Sequence, residues 1–311
     1  MTRENIAVIG AGSIGLAWAI AFARAGLEVR LFDPQEEPLK QAMSAIAQRL
    51  ERLREFALID EAPPTIAARI KICGETEAVR DAVHVQENAP ENLELKRRLM
   101  RRLDQVMDKT ATLASSTSAI PAAQWADDLP GRGRCLVIHP ANPPYLIPVV
   151  ELVPAGFTQP ETLERARDLM IRTGLKPVVV RKEIEGFVFN RLQGALLREA
   201  YCLVRDDVAS VEDIDTIVRE GLGLRWSFMG PFETAELNTK GGIEAHAERM
   251  GPAYRRMGAE RGQDDPWTPD LVAKVASERR ALLPLEDWPE RVLWRDEMLM
   301  RLLAFKRRHG R

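Results

Sequence analysis

Cysteine is scarce in this chain. Cys73, Cys135 and Cys202 are its three thiols, widely spaced, with no C-x-x-C and no paired Cys/His arrangement. That excludes a disulfide framework and a structural zinc site, and each thiol reads as a small buried apolar residue. A dominant charge is missing too. Lys plus Arg total 44 against 46 for Asp plus Glu, a net charge of −2 with His neutral. A dedicated nucleic-acid binder would carry a basic excess, so no nucleic-acid partner is expected. No apolar run approaches the ~20 residues needed to span a bilayer, and no membrane partner is expected either. Met1-Thr2-Arg3-Glu4-Asn5 leads straight into a strand-like segment and lacks the layout of a signal peptide. Together with the unpaired thiols, this fits a reducing cytoplasm.

What is present is an ordinary globular mix, 45% hydrophobic and 29% charged. A chain of 311 residues predicts about two domains, at roughly 100–200 residues each. Strand-like runs fall at Ile6–Ile9, Glu28–Phe32, Ile70–Cys73, Val83–Gln86, Thr112–Ser115, Cys135–His139, Val149–Val153 and Pro177–Val180. Helical patterns lie between several of them. Leu39, Met43, Ile46, Leu50, Leu53 and Phe56, at three- and four-residue steps, mark a long one. Alternation of this kind predicts an α/β fold with a largely parallel sheet, here a Rossmann-type domain. After Val180 the strand pattern stops, and residues 181–186 form a polar connector. Phe187–Asp206, Val211–Glu220, Ile243–Arg261, Pro269–Leu282 and Pro289–Arg307 then read as helices. The expected organisation is a dinucleotide-binding domain over 1–185 and an all-α domain over 186–311.

Gly10-Ala11-Gly12-Ser13-Ile14-Gly15 matches G-x-G-x-x-G, follows a strand and opens a helix. The first glycine permits the tight turn, the second lets a pyrophosphate approach the backbone, and the third lets helix and strand pack closely. The helix N-terminus offers free N–H groups to phosphate, which makes Gly10, Gly12, Ser13, Ile14 and Gly15 candidate cofactor contacts. Asp33 ends the next strand, 18 residues after Gly15, where a carboxylate accepts from the adenosine ribose. Pro34 and Gln35 follow it with no basic pair for a 2′-phosphate, so NAD is expected rather than NADP.

Four histidines compete for an acid–base role. His309 lies in a basic tail, His246 among charged helical residues, and His84 within an apolar strand. His139 ends a strand and enters Pro140-Ala-Asn-Pro-Pro-Tyr145, a loop stiffened by proline. Ligands of open α/β sheets bind outside the carboxyl ends of the strands, where His139 stands. Glu151, twelve residues on, lies in Val149-Val-Glu-Leu-Val153 with apolar neighbours. A buried carboxylate needs a partner, and His139 is one; a distant Arg is the alternative. A His–Glu pair provides an oriented general acid and base.

Ser115-Ser-Thr-Ser118, His139-Pro-Ala-Asn142, Glu151 and Gly186-Phe-Val-Phe-Asn190-Arg191, in that order, resemble the motifs of the 3-hydroxyacyl-CoA dehydrogenase superfamily. The resemblance extends over nearly the whole chain. It is closest to the lambda-crystallin/L-gulonate 3-dehydrogenase branch, through His139-Pro-Ala-Asn-Pro-Pro-Tyr-Leu-Ile-Pro, Gly221-Leu-Gly-Leu-Arg225, Gly230-Pro-Phe-Glu-Thr and Trp294-Arg-Asp-Glu-Met-Leu-Met-Arg301. It implies His139 as acid and base, Glu151 as its orienting partner, and Ser118 and Asn190 as donors to the substrate oxygen or the nicotinamide. It places Asn142 beside the cofactor, and Glu91 and Lys96, in Gln86-Glu-Asn-Ala-Pro-Glu91-Asn-Leu-Glu-Leu-Lys96, near the nicotinamide ribose and phosphate. Blander roles are a helix cap for Ser118, a surface amide for Asn190 and solvated helix charges for Glu91 and Lys96. It also implies a homodimer through the helical domain.

The superfamily divides between acyl-CoA thioesters and free hydroxy acids. Arg binds a free carboxylate bidentately, and Arg225 stands in Gly223-Leu-Arg-Trp-Ser-Phe-Met-Gly230. The gulonate branch carries Arg there. The implied reaction is NAD-dependent oxidation of the 3-hydroxyl of a small acid, foremost L-gulonate to 3-dehydro-L-gulonate. L-carnitine and (S)-3-hydroxyacyl-CoA are the alternative substrates. A non-catalytic, NAD-binding, crystallin-like structural protein is the alternative of another class. A salt bridge is the competing role for Arg225.

Overall fold

The computed structural model describes residues 4–227, 229–239, 242–261, 270, 281 and 284–308. Most of the helix expected over 269–282, His309, and Phe228 beside Arg225 lie outside the described residues.

Eight strands form one sheet: β1 (Asn5–Ile9), β2 (Glu28–Phe32), β3 (Ile70–Ile72), β4 (His84–Glu87), β5 (Thr112–Ser115), β6 (Cys135–Pro140), β7 (Val149–Pro154) and β8 (Lys176–Val179). Their order is β3-β2-β1-β4-β5-β6-β7-β8. All neighbours pair in parallel except β6 and β7, which run antiparallel. Strand order reverses between β1 and β4, and the chain enters helix α1 (Ser13–Arg24) directly after β1. A crevice outside the carboxyl ends of the strands is the expected consequence.

Both faces of the sheet are covered. One carries α1 and α2 (Glu36–Glu55); α2 turns Ala42, Ile46, Leu50 and Leu53 inward, all fully buried. That spacing of four, four and three residues is one helical stripe, and each such Ile or Leu contributes about 1.5–3 kcal/mol on burial. The other face carries the helix Leu93–Val106 through Leu99, Met100 and Leu103. Double coverage explains why β4, β5 and β6 are buried at every residue rather than alternately.

The described residues divide into two compact units. The first runs to Arg191 and resumes at Asp296; the second is Leu192–Arg295. The C-terminal end of the chain therefore does not stay with the all-α half, as the division at 185/186 expects. The reason is an apolar stripe on the last helix, Trp288–Arg308. Met300 and Ala304 are buried, and Leu299 and Leu303 pack with Met300 on the α1–α2 core. Arg52 donates to Glu297 at 3.0 Å, and Arg307 donates to both oxygens of Asp60 at 2.7 Å. Among the described residues of the second unit the regular elements are helices, including most of Phe189–Arg205, then Val211–Thr216 running through a π-helical turn at Ile217–Leu222 into Gly223–Trp226, then Pro231–Asn238 and Gly242–Arg261. Among the described residues no helix is long and apolar enough to cross a membrane.

His84 opens β4 and is buried, as its apolar strand implies. Its Nε2 donates to the amide oxygen of Gln86 at 2.9 Å, while Nδ1 has no partner. Burial pushes its pKa down to about 4, against an ordinary value of 6.5. The ring is therefore neutral at pH 7. An unfolded chain takes up the proton near pH 6.5 and the folded chain only near 4, so stability is full above about 6.5 and falls as pH drops through that window. At ~1.4 kcal/mol per unit, about 2 kcal/mol disappears between pH 7 and pH 5. His84→Gln should flatten that slope. Urea unfolding at both pH values tests it, and a wild-type-to-variant difference independent of pH would reject it.

Candidate active site

The carboxyl end of β1 delivers the chain into the glycine loop. Gly10 has φ +104°, and a Cβ there would meet the Asn88 carbonyl oxygen at 2.8 Å. A Cβ on Gly15 would lie 1.8 Å from the Gly10 carbonyl oxygen. These two glycines are demanded by the protein's own backbone. Gly12 is different: no heavy atom lies within 4 Å of its Cβ position. Beside that open space the first turn of α1, including the exposed Ser13 and the half-buried Ile14, has no side-chain cap and no acidic residue. Its N–H groups face outward with the positive end of the helix dipole.

Asp33 follows β2. Its Oδ2 accepts from Ala11 N at 2.8 Å and its Oδ1 from Gln35 N at 2.9 Å. Each oxygen retains a lone pair for a ligand hydroxyl. An open glycine, an uncapped helix start and a half-exposed carboxylate suit a dinucleotide: pyrophosphate over Gly12 to Ile14 and a ribose diol on Asp33.

His139 and Glu151 are direct partners in the β6–β7 register. Antiparallel pairing puts their side chains on one face, and His139 Nδ1 lies 2.8 Å from Glu151 Oε2. Both are buried. Glu151 Oε1 accepts from Val188 N at 2.7 Å and Phe189 N at 3.0 Å, at the start of the helix Phe189–Arg205. Burial alone would push the Glu151 carboxyl up, but hydrogen bonds from His139, Phe189 and Val188 outweigh it and hold the carboxyl below its ordinary range. An ionised Glu151 fixes the tautomer with hydrogen on Nδ1, which leaves Nε2 as the ring nitrogen that can take a proton. Phe187 and Phe189 flank the imidazole, with centroids at 5.4 Å and 6.4 Å.

Asn190, next to Phe189, donates from Nδ2 to the Ser118 carbonyl at 3.2 Å. The exposed Ser118 thus lies beside the segment that holds Glu151. Asn142 is exposed at the head of the loop after β6. Arg225 belongs to the second unit, on the short helix Gly223–Trp226. Its Nη1 donates to Asn238 Oδ1 at 3.4 Å, and it forms no ion pair among the described residues.

Lys96 is buried: its side chain is 1% exposed, and its ammonium donates to Glu87 Oε1 at 2.8 Å, Glu87 Oε2 at 3.0 Å and the Ala89 carbonyl at 3.1 Å. The cause is Glu87, a fully buried carboxylate that requires a counter-charge. Glu91 stays 43% exposed, and its Oε1 accepts from Thr117 Oγ1 and Ala119 N. Glu87 was not singled out from the sequence. The signal was available: Lys96 stands at three-, four- and seven-residue steps from Leu99, Met100 and Leu103, on the buried stripe of its helix. Nor does sequence reveal the Val188 and Phe189 amides, because backbone donors leave no mark in side-chain identity.

Residues 5–184 match the family model for the NAD-binding domain of 3-hydroxyacyl-CoA dehydrogenase, and residues 186–281 match the model for its C-terminal domain. The lambda-crystallin homolog of Mus musculus is 36% identical over 309 residues, covering 97% of this chain and 96% of that protein. The L-carnitine dehydrogenase/betainyl-CoA thioesterase of Rhizobium meliloti is 37% identical over 256 residues, 82% of this chain and 51% of the longer protein. Among solved structures, 5-formyl-3-hydroxy-2-methylpyridine 4-carboxylic acid 5-dehydrogenase, an NAD+-dependent dismutase, superposes with a TM-score of 0.85 at 28% identity, covering all of both chains.

The glycine loop yields a contrast. Gly12→Ala adds a methyl where nothing stands, so its stability should stay within about 0.5 kcal/mol of wild type, while NAD affinity falls at least tenfold. Gly15→Ala drives a methyl into the Gly10 carbonyl and should cost about 1–3 kcal/mol of folding free energy. Thermal unfolding with NAD titration calorimetry checks both; Gly12→Ala binding NAD as tightly as wild type would refute the pyrophosphate placement.

Proposed function

This chain belongs to the 3-hydroxyacyl-CoA dehydrogenase family, and we propose that within it the protein oxidises the C3 hydroxyl of a small free hydroxy acid, L-gulonate to 3-dehydro-L-gulonate. NAD, held at the glycine loop and Asp33, supplies the hydride acceptor. His139 Nε2 takes the hydroxyl proton. Glu151 holds Nδ1–H and stabilises the resulting imidazolium across the 2.8 Å contact. Ser118 and Asn190 donate to the substrate oxygen on which charge develops, Asn142 lines the cofactor side, and Glu91 accepts from the nicotinamide ribose. The observation that carries the reading is the buried His139–Glu151 pair, because its geometry leaves one imidazole nitrogen for proton transfer.

Arg225 supports a free acid over a thioester. It is a half-buried guanidinium with no carboxylate partner among the described residues, suited to a substrate carboxylate. Two of the relatives carry names of enzymes whose substrates are carboxylic acids. L-carnitine is the second reading. Trp226, 40% exposed beside Arg225, offers an aromatic face for a trimethylammonium group.

The test is NAD reduction with L-gulonate, L-carnitine, L-3-hydroxybutyrate and a 3-hydroxyacyl-CoA. Wild type should favour L-gulonate. His139→Ala should lose at least about 100-fold in kcat, the usual worth of a general base, with NAD affinity largely retained. Arg225→Met should raise KM for the free acid by about 10–100-fold, the loss of a bidentate charged contact. An unchanged KM removes Arg225 from the substrate. No turnover on any of the four favours the crystallin-like reading.

The helical unit presents apolar side chains that suit a homodimer: Leu192 is 63%, Phe232 81% and Leu237 69% exposed. Sedimentation equilibrium should give about 70 kDa, twice the chain mass of 34.9 kDa. A monomer at micromolar concentration would refute it. Operation in the cytoplasm completes the reading.

A further inference from the structure

We propose that Ser116 is a positioning residue for the cofactor: its hydroxyl is the joint that holds the glycine loop and the first turns of α1 against the carboxyl ends of β4 and β5. The inference rests on the pyrophosphate placement over Gly12 to Ile14 given above. Ser116 directly follows β5 and is half-buried. Its Oγ accepts from Trp18 Nε1 at 2.9 Å and from Gln86 Nε2 at 2.8 Å, and donates to Asn88 Oδ1 at 2.8 Å. A serine hydroxyl has one hydrogen and two lone pairs, so all three are taken. The direction of each bond is forced, because an indole N–H and an amide N–H₂ can only donate.

Two of these partners border the cofactor loop. Trp18 stands on α1, three residues after Gly15. It is fully buried and stacks on Phe22, with ring centroids 5.2 Å apart. Asn88 directly follows β4. Its backbone N and its Nδ2 donate to the Ile9 carbonyl at 2.7 and 3.3 Å, and Nδ2 also donates to the Gln86 carbonyl at 2.9 Å. Ile9 ends β1, and Gly10 comes next, with the Asn88 carbonyl oxygen 2.8 Å from where its Cβ would stand. One hydroxyl therefore meets both the helix that presents N–H groups to phosphate and the residue that borders the turn into that helix. Ser116→Ala strands the buried indole N–H, which is costly. It also releases the Asn88 carboxamide that spans Ile9 and Gln86.

The test is NAD affinity by calorimetry, which needs no substrate, alongside thermal unfolding. Ser116→Ala should raise the NAD dissociation constant at least about fivefold, the usual worth of one hydrogen bond, at a temperature where the variant is folded. Trp18→Phe keeps the stacked ring and loses only the N–H. It should weaken NAD at least about threefold, and it decides the matter if Ser116→Ala does not fold. Because the two changes break the same bond, W18F/S116A should bind NAD within about twofold of S116A alone. A hydroxyl that acts on NAD independently of Trp18 predicts losses that multiply, and that result overturns the proposal. So does either single variant that unfolds at a lower temperature but binds NAD as tightly as wild type, since the hydroxyl is then merely structural. Gly12→Ala separates this inference from the reading beneath it. If Gly12→Ala leaves NAD binding unchanged, the pyrophosphate placement falls. If it weakens NAD while Ser116→Ala does not, only the role of Ser116 falls.

Discussion

Glu151 is buried on β7, and everything around it follows from the need to satisfy its charge there. One oxygen takes the His139 ring and the other takes two backbone N–H groups from Val188 and Phe189. Three segments, β6, β7 and the start of the helix Phe189–Arg205, are thereby fixed to a single carboxylate. The backbone bends sharply to deliver those amides: Gly186 has φ +73° and Phe187 φ +49°. A bulky residue in the left-handed region costs about 1–2 kcal/mol. Complete burial of the Phe187 ring, in contact with His139, offsets that cost. The pairing also depends on register. A one-residue slip of β7 against β6 would send Glu151 to the opposite face and leave the imidazole without its partner.

Among the carboxylates at the carboxyl edge of the sheet, burial separates the capacities of Asp33, Glu151 and Glu87. Asp33 is half-exposed and bonded only to backbone amides, so it keeps lone pairs for a ligand. Glu151 is closed except through the imidazole it orients. Glu87 is closed altogether, with four hydrogen bonds, two of them from a lysine. The same chemical group thus serves as ligand acceptor, as orienting partner and as internal anchor, according to how much water reaches it.

Strand identity was legible because parallel strands covered on both faces read as apolar runs, and all eight expected runs are strands of the sheet. The antiparallel β7 was not foreseen, since period and composition do not carry strand direction. The glycine loop was legible because its geometry tolerates no side chain, so the constraint is written in residue identity. The burial of Lys96 was not legible, for the opposite reason. In Lys96-Arg-Arg-Leu-Met-Arg-Arg-Leu it reads as one of a basic cluster, and only its phase relative to Leu99, Met100 and Leu103 sets it inside. The last helix shows its apolar stripe plainly, but not the surface it meets, because a stripe specifies that a face is buried and leaves its partner open.

The four residues of β4 show how one short strand serves both halves of the chemistry. Strand alternation sends His84 and Gln86 to the α1 face and Val85 and Glu87 to the other. On the first face His84 donates to Gln86, Gln86 Nε2 and Trp18 Nε1 donate to Ser116 Oγ at 2.8 and 2.9 Å, and Ser116 donates to Asn88 at 2.8 Å. Asn88 is the residue whose carbonyl oxygen leaves no room for a Cβ at Gly10. This chain of bonds therefore ends at the glycine loop. On the second face Glu87 accepts from Ser115 and Lys96, and Glu91, 3.9 Å from the same ammonium, accepts from Thr117 and Ala119 on either side of Ser118. The two networks reach adjacent residues, Ser115 and Ser116, from opposite sides of the sheet. Replacing a β4 side chain therefore removes a partner from one network or the other: His84 and Gln86 serve the first, Glu87 the second.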